Sequence, residues 1–155
     1  EMLTRLEIQD VRFSYVTLHA GMGNFKPIEV EDLSKHRMDS EEMLVDEATC
    51  DLINKAKQEE RKICVVGTTA MKAIESAVTI QGKVCPFSGW SNKFIFPPYN
   101  FSSADMMLTN FHEPKTSMMI MASAFAGADY LMNAYQVAIK EKYKFSLYGD
   151  AMLIV

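Results

Sequence analysis

The sequence predicts an α/β fold, a mostly parallel sheet covered by helices on both faces, on three observations. Short apolar runs rich in β-branched residues, such as KICVVG, alternate with segments whose apolar residues recur at helical spacing. One such run passes directly into GTTAMKAIESAV, so strand, turn and helix follow one another within a single stretch. With 155 residues, 48% hydrophobic and 23% charged, the chain holds enough apolar side chains for one ordinary core and too many for disorder. One α/β domain over residues 1–155 is therefore expected.

The chain starts at Glu1 and runs at once into EMLTRLEIQDVRFSYVTL, an apolar-alternating stretch that leads us to expect further polypeptide upstream. Residues 13–18 alternate and are β-branched or aromatic enough for a strand, which enters HAGMGNFKP, where two glycines and Pro27 break regular structure. Over residues 46–61, Ala48, Leu52, Ile53 and Ala56 fall at helical spacing. Acidic residues come near the start and basic ones near the end, as the helix dipole favours. KICVVG then reads as a buried strand, with a helix beginning near Thr68 or Thr69. Residues 82–99, carrying Gly82, Pro86, Gly89, Pro97 and Pro98, read as a loop with at most a short strand at 93–96. ADMMLTNF is a core strand, SMMIMASAFAG a buried helix ended by Gly127, ADYLMNAYQVAIKEKY a more amphipathic helix, and the closing apolar run a last strand.

Charge and cysteine usage narrow the function classes. A formal charge of −4 provides no general basic field for a polyanion, and the clusters Lys55, Lys57, Arg61, Lys62 and Lys140, Lys142, Lys144 read first as solvated faces. Cys50, Cys64 and Cys85 are odd in number and far apart, with no C-x-x-C pair, so reduced thiols and no metal site are expected. No apolar run approaches the roughly 18–20 residues that cross a bilayer, so a cytoplasmic protein without a membrane partner is expected. The Met-rich stretch around residue 120 reads as core packing.

In open α/β sheets ligands collect beyond the carboxyl ends of strands, where loops and helix amino termini present free N–H groups. Three turns qualify. In the first, His19 precedes Gly21 and Gly23, which can adopt positive φ and let backbone approach a ligand, though a G-x-G pattern serves a structural turn equally well. In the second, Thr68 and Thr69 can cap the following helix or leave its N–H groups for a carboxylate or phosphate; Lys72 and Glu75, one turn on, read as a surface ion pair or a substrate-facing one. In the third, alternation sends Asn110 and His112 to one side of Phe111, where a histidine can serve structure or acid–base work.

The blocks VTLHAGMGNFKP, HRMDSE, VGTTAMKAIES, LTNFHEPKTSMMIMASAFAG and YKFSLYGDAMLI resemble, in the same order, signature blocks of the S-adenosylmethionine:tRNA ribosyltransferase-isomerase family of queuosine biosynthesis, across residues 16–154. The resemblance implies a two-domain protein: a three-layer α/β/α sandwich interrupted by a β-barrel domain that is absent here, this chain being the carboxy-terminal portion of the sandwich. It implies that S-adenosylmethionine donates its ribosyl group to 7-aminomethyl-7-deazaguanine at the wobble position of tRNA, giving epoxyqueuosine, adenine and methionine. S-adenosylmethionine is then a co-substrate, tRNA the partner, and no metal is demanded. That chemistry removes a proton beside a sulfonium, needs a neutral amine and protonates departing adenine. Among residues of the matching blocks, His19, His112, Glu41 and Glu75 are the candidates for acid–base or sulfonium-facing roles. Gly21, Gly23, Thr68, Thr69 and Asn110 are the candidates for holding the donor or the base.

The chain departs from the family pattern at Asp39, where a histidine is usual, at Lys72 and Lys144, where arginines are usual, at Glu113 in place of leucine, and at Pro98 in place of glycine. Two other readings follow from those departures: a non-catalytic paralogue serving as a nucleoside- or tRNA-binding or oligomer subunit, and an S-adenosylmethionine-using enzyme with another acceptor.

Overall fold

A computed structural model describes residues 1–155. Its strands form two small sheets. The clearest strand is Glu41–Val45 (β2), in which Glu41, Met43 and Val45 are buried and the residues between them exposed, the alternation of a sheet with one covered face. On one side β2 pairs antiparallel with Thr17–Leu18 (β1), Thr17 opposite Leu44, and on the other with Phe87–Ser91 (β4), Met43 opposite Gly89. The second sheet has Cys64–Val66 (β3) parallel to the central Met106–Asn110 (β5), with Ala151–Ile154 (β6) antiparallel on the far side.

The α/β class is as expected; the strand pairing differs from the mostly parallel sheet predicted. Only β3 and β5 are parallel. A single crossover helix would return the chain to the amino end of β5, giving a parallel neighbour. Two helices intervene instead, and the chain comes back at the carboxyl end, where Ala151 pairs with Asn110.

The helices follow their local signals. Glu47–Gln58 (α2) is capped by Asp46, whose carboxylate accepts from the Thr49 amide at 2.8 Å, and carries Lys55 and Lys57 in its last turn. Ser117–Ala126 (α4) is capped by Thr116 and meets Ala128–Lys140 (α5) at Gly127. Leu131, Tyr135 and Ala138 form the buried stripe of α5. The expectation of a fully buried α4 is corrected: Ser117, Met121 and Ala122 are buried and the rest of the helix is half-buried. Residues 2–8, read as alternating, form a short helix, Met2–Ile8 (α1), with no buried residue and an Arg5–Glu1 ion pair one turn apart. The strand expected over 13–18 shrinks to β1. β4 lies where a loop was expected, because its pairing with β2 outweighs a composition of Pro86 and Gly89 that reads as a turn.

Thr68–Ser76 (α3) is the centre of the molecule. It touches β1 and β2 of one sheet, β3 and β5 of the other, and α4. Five consecutive residues, Met71 to Glu75, are buried, so no face of this turn is left to solvent. Met71, Ala73 and Ile74 join Met43 and Val45 from the first sheet and Val65 and Met107 from the second in one contiguous cluster of 19 buried residues. All three cysteines are free, and no helix is long and apolar enough to cross a membrane.

α3 starts at Gly67, whose φ of 91° and ψ of 140° lie in a region that only glycine occupies readily. Gly67→Ala should therefore cost about 1–3 kcal/mol. Urea unfolding of the whole polypeptide measures it, and an unchanged midpoint would refute the strain.

Candidate functional site

The buried polar groups around α3 form two networks. In the first, Glu41, 2% exposed, is bonded through both carboxylate oxygens. Its Oε1 accepts from the Gly21 amide and from Asn24 Nδ2, each at 2.6 Å, and its Oε2 accepts from Lys72 Nζ at 2.6 Å. Lys72 is 3% exposed, so this is an ion pair out of water. Removing such charges from solvent costs several kcal/mol each and is offset only by close pairing and additional hydrogen bonds, which Gly21 and Asn24 supply. Asn24 continues the network, its Oδ1 accepting from Ser117 Oγ at 3.4 Å. The glycine loop, β2, α3 and the first residue of α4 are thereby joined.

The second network is centred on Glu75, 1% exposed. Its Oε1 accepts from the amides of Ser102 and Ser103 at 2.9 Å and from Ser103 Oγ at 2.6 Å, and its Oε2 from the Tyr99 hydroxyl at 2.8 Å. Lys93 Nζ donates to the Glu75 carbonyl at 2.6 Å. Burial, and then the bond to Glu75, push the Tyr99 phenol up, while burial pulls the Lys93 ammonium down. The surface pair of Lys72 with Glu75 is thus corrected: both are buried and each takes a different partner, because α3 is enclosed on all sides.

Two adjoining hollows open beyond the carboxyl ends of β3 and β5. The smaller, about 20 Å³, is lined by Asn24, Thr68, Thr69, Lys72, Lys93 and Ser117 with an apolar remainder that includes Met118. The larger, about 130 Å³, is lined by Phe25, Asn110, His112, Glu113, Thr116, Met118, Ser146 and Leu147. Met118 belongs to both, and neighbours Asn24 and Phe25 look into one each. His112 is 7% exposed; its Nε2 and Thr109 Oγ1 lie 2.7 Å apart, and its amide donates to the Tyr135 hydroxyl at 2.7 Å. Burial lowers its pKa to about 4, so the ring is neutral at neutral pH.

The structure brings most of the candidate residues together. Thr68 and Thr69 line the small hollow and Asn110 and His112 the larger; Glu41 holds the wall of the small one from behind. Glu75 lines neither hollow and fixes residues 99–103 instead. His19 is exposed at the end of β1, its amide donating to the Glu42 carbonyl. Positive φ at Gly21 and Gly23 is corrected: neither adopts it. Gly21 offers its amide to Glu41, and a Cβ on Gly23 would lie 2.7 Å from Oδ2 of the exposed Asp39 side chain, which would have to move aside. Capping by Thr68 or Thr69 is also corrected, since Gly67 holds the cap position and both threonines are already helical. Sequence reasoning did not single out Asn24, Lys93 or Ser117, because their partners lie in distant segments; the Asn24–Ser117 bond spans 93 residues.

An α/β fold with convergent polar groups around hollows at the carboxyl ends of parallel strands defines a ligand-handling α/β protein. The chain belongs to the queuosine biosynthesis protein family, whose model matches residues 1–154. It is 56% identical over 154 residues to the S-adenosylmethionine:tRNA ribosyltransferase-isomerase of Flavobacterium psychrophilum, which covers 99% of this chain and 44% of that protein. The enzyme of that name from Parabacteroides distasonis is 54% identical over 155 residues, again 44% of its length. The crystal structure of S-adenosylmethionine tRNA ribosyltransferase from Thermotoga maritima superposes with a TM-score of 0.81 at 30% identity, covering 99% of this chain and 48% of that one. The chain therefore spans a little under half the length of these relatives.

Two outcomes follow for the whole polypeptide. Lys72→Met leaves Glu41 charged and buried and should cost about 3–5 kcal/mol. Adding Glu41→Leu should recover part of that loss in a double-mutant unfolding cycle, and strict additivity would show that the two do not act as a pair. For His112, the folded pKa of about 4 lies below the ordinary 6.5, so between those values the unfolded chain binds a proton that the folded one does not. Its contribution to stability is complete above pH 6.5 and is lost as pH falls toward 4, on the order of 3 kcal/mol. Unfolding of wild type and His112→Gln across that range should converge on acidification, and parallel curves would refute it.

Proposed function

We propose that the polypeptide carrying these residues transfers and isomerises the ribosyl group of S-adenosylmethionine onto 7-aminomethyl-7-deazaguanine in the anticodon loop of tRNA, giving epoxyqueuosine, and that residues 1–155 form one α/β domain contributing to its catalytic site. The identity of 56% over 99% of the chain to a relative bearing that activity as its name carries the reading. The two hollows at the carboxyl ends of β3 and β5 support it. A tRNA substrate puts the reaction in the cytoplasm.

In this reading Thr68, Thr69, Lys72 and Asn24 hold the donor at the small hollow, and Asn110 and His112 face the base in the larger one. Neutral His112 works as a hydrogen-bond partner, not as a standing cation. Glu41 and Glu75 act through what they position, since protein donors already occupy both oxygens of each. Gly21 and Gly23 shape the loop that presents Asn24. His19, exposed at the end of β1, is open to the macromolecular substrate. The sulfonium acidifies its own neighbouring carbon, and no metal enters the scheme.

Incubating the whole polypeptide with S-adenosylmethionine and tRNA bearing the aminomethyl-deazaguanine should release adenine, read by chromatography. Release that does not depend on that tRNA would refute the acceptor, and no release would refute the activity.

A further inference from the structure

The small hollow has a polar end, at the start of α3, in a largely apolar lining. Its volume of about 20 Å³ has room for one small group and not for a nucleoside. Lys72 and Lys93 are among its lining residues, their ammonium groups already bonded to the Glu41 carboxylate and the Glu75 carbonyl. α3 begins there, and its cap residue Gly67 has no side chain to satisfy the first-turn amides, which carry the positive end of the helix dipole. Thr68 is 5% exposed and lines the hollow. No protein hydrogen bond uses its hydroxyl, and no sealed side-chain oxygen or nitrogen anywhere in the molecule lacks a partner, so this hydroxyl opens into the hollow. The two acidic groups nearby do not oppose a negative guest directly: Glu41 and Glu75 lie outside the lining with their oxygens already bonded.

We infer that this hollow is an oxyanion subsite, in which a carboxylate or phosphate is held by the Thr68 hydroxyl and the first amides of α3. Two sources of that group follow from the proposed function, on which the choice of ligand rests: the amino-acid carboxylate of S-adenosylmethionine and a backbone phosphate of tRNA. The shared Met118 wall favours the carboxylate, because a ligand with a small anionic end and a larger body would occupy both compartments.

The test uses the whole polypeptide and Thr68→Val, which keeps the side-chain shape and leaves the Glu41–Lys72 pair intact; Lys93→Met is the second variant, and thermal melts confirm folding. Calorimetry measures binding of S-adenosylmethionine, of its decarboxylated analogue and of the tRNA anticodon stem-loop. A carboxylate site predicts that Thr68→Val weakens S-adenosylmethionine about 5- to 10-fold while the decarboxylated analogue binds wild type and variant alike. A phosphate site predicts the same loss for the stem-loop, with S-adenosylmethionine unchanged. Unchanged binding of both ligands, or equal losses for S-adenosylmethionine and its decarboxylated analogue with the stem-loop unaffected, overturns the subsite. Carboxylate-dependent binding without adenine release would retain the subsite and reject the proposed activity; adenine release with unaltered binding would do the reverse.

Discussion

The ion pair of Glu41 with Lys72 is the constraint on which the arrangement depends. A carboxylate and an ammonium, both nearly inaccessible to water, tolerate each other's burial only in close contact, and theirs is 2.6 Å. The acid comes from the first residue of β2 and the base from the middle of α3, so the contact sets the distance between an antiparallel sheet and the helix at the centre of the core. The remaining carboxylate oxygen is saturated by Gly21 and Asn24, which carries that positional information into a loop with little regular structure of its own. A loop that would otherwise be free to rearrange is held to the same point as the helix beside it.

A division of labour among polar groups follows. Glu41 and Glu75 have every oxygen bonded within the protein and are out of contact with either hollow, so their work is geometric. The Thr68 hydroxyl and the uncapped start of α3 are left with bonding capacity and face open space. His112 stands between: one ring nitrogen and the backbone on either side of the ring are tied to Thr109 and Tyr135, and its burial suppresses its charge. Glu41 and Glu75, which hold shape, are thus distinct from the Thr68 hydroxyl and the start of α3, which can meet a ligand, while Lys72 and Asn24 belong to both the Glu41 network and the lining of the small hollow.

Local signals in the sequence were sufficient where the physics is local. The helix from about Asp46, the strand Cys64–Val66 leading into α3 and the strand β5 depend on neighbours a few residues away and were legible, although β3 is not the buried strand expected: only Val65 is covered, and Cys64 and Val66 are exposed. β4 was not, because Phe87–Ser91 becomes a strand through β2, more than forty positions earlier in the register from Glu41 to Ser91. The same holds in the site. Lys72 and Glu75 sit at spacing that reads as a surface pair, and only the enclosure of α3 by two sheets and α4 turns each toward a different partner. The antiparallel β6 required knowing that two helices, not one, separate it from β5.

Met118 lines both compartments, and its chemistry bears on what they can accommodate. A thioether on an unbranched stem has three rotatable bonds and no strong conformational preference, unlike the branched or ring side chains that usually divide a cavity. A flexible side chain shared by both walls can adjust its shape to what lies against it, so the lining common to the two hollows is their most adaptable part.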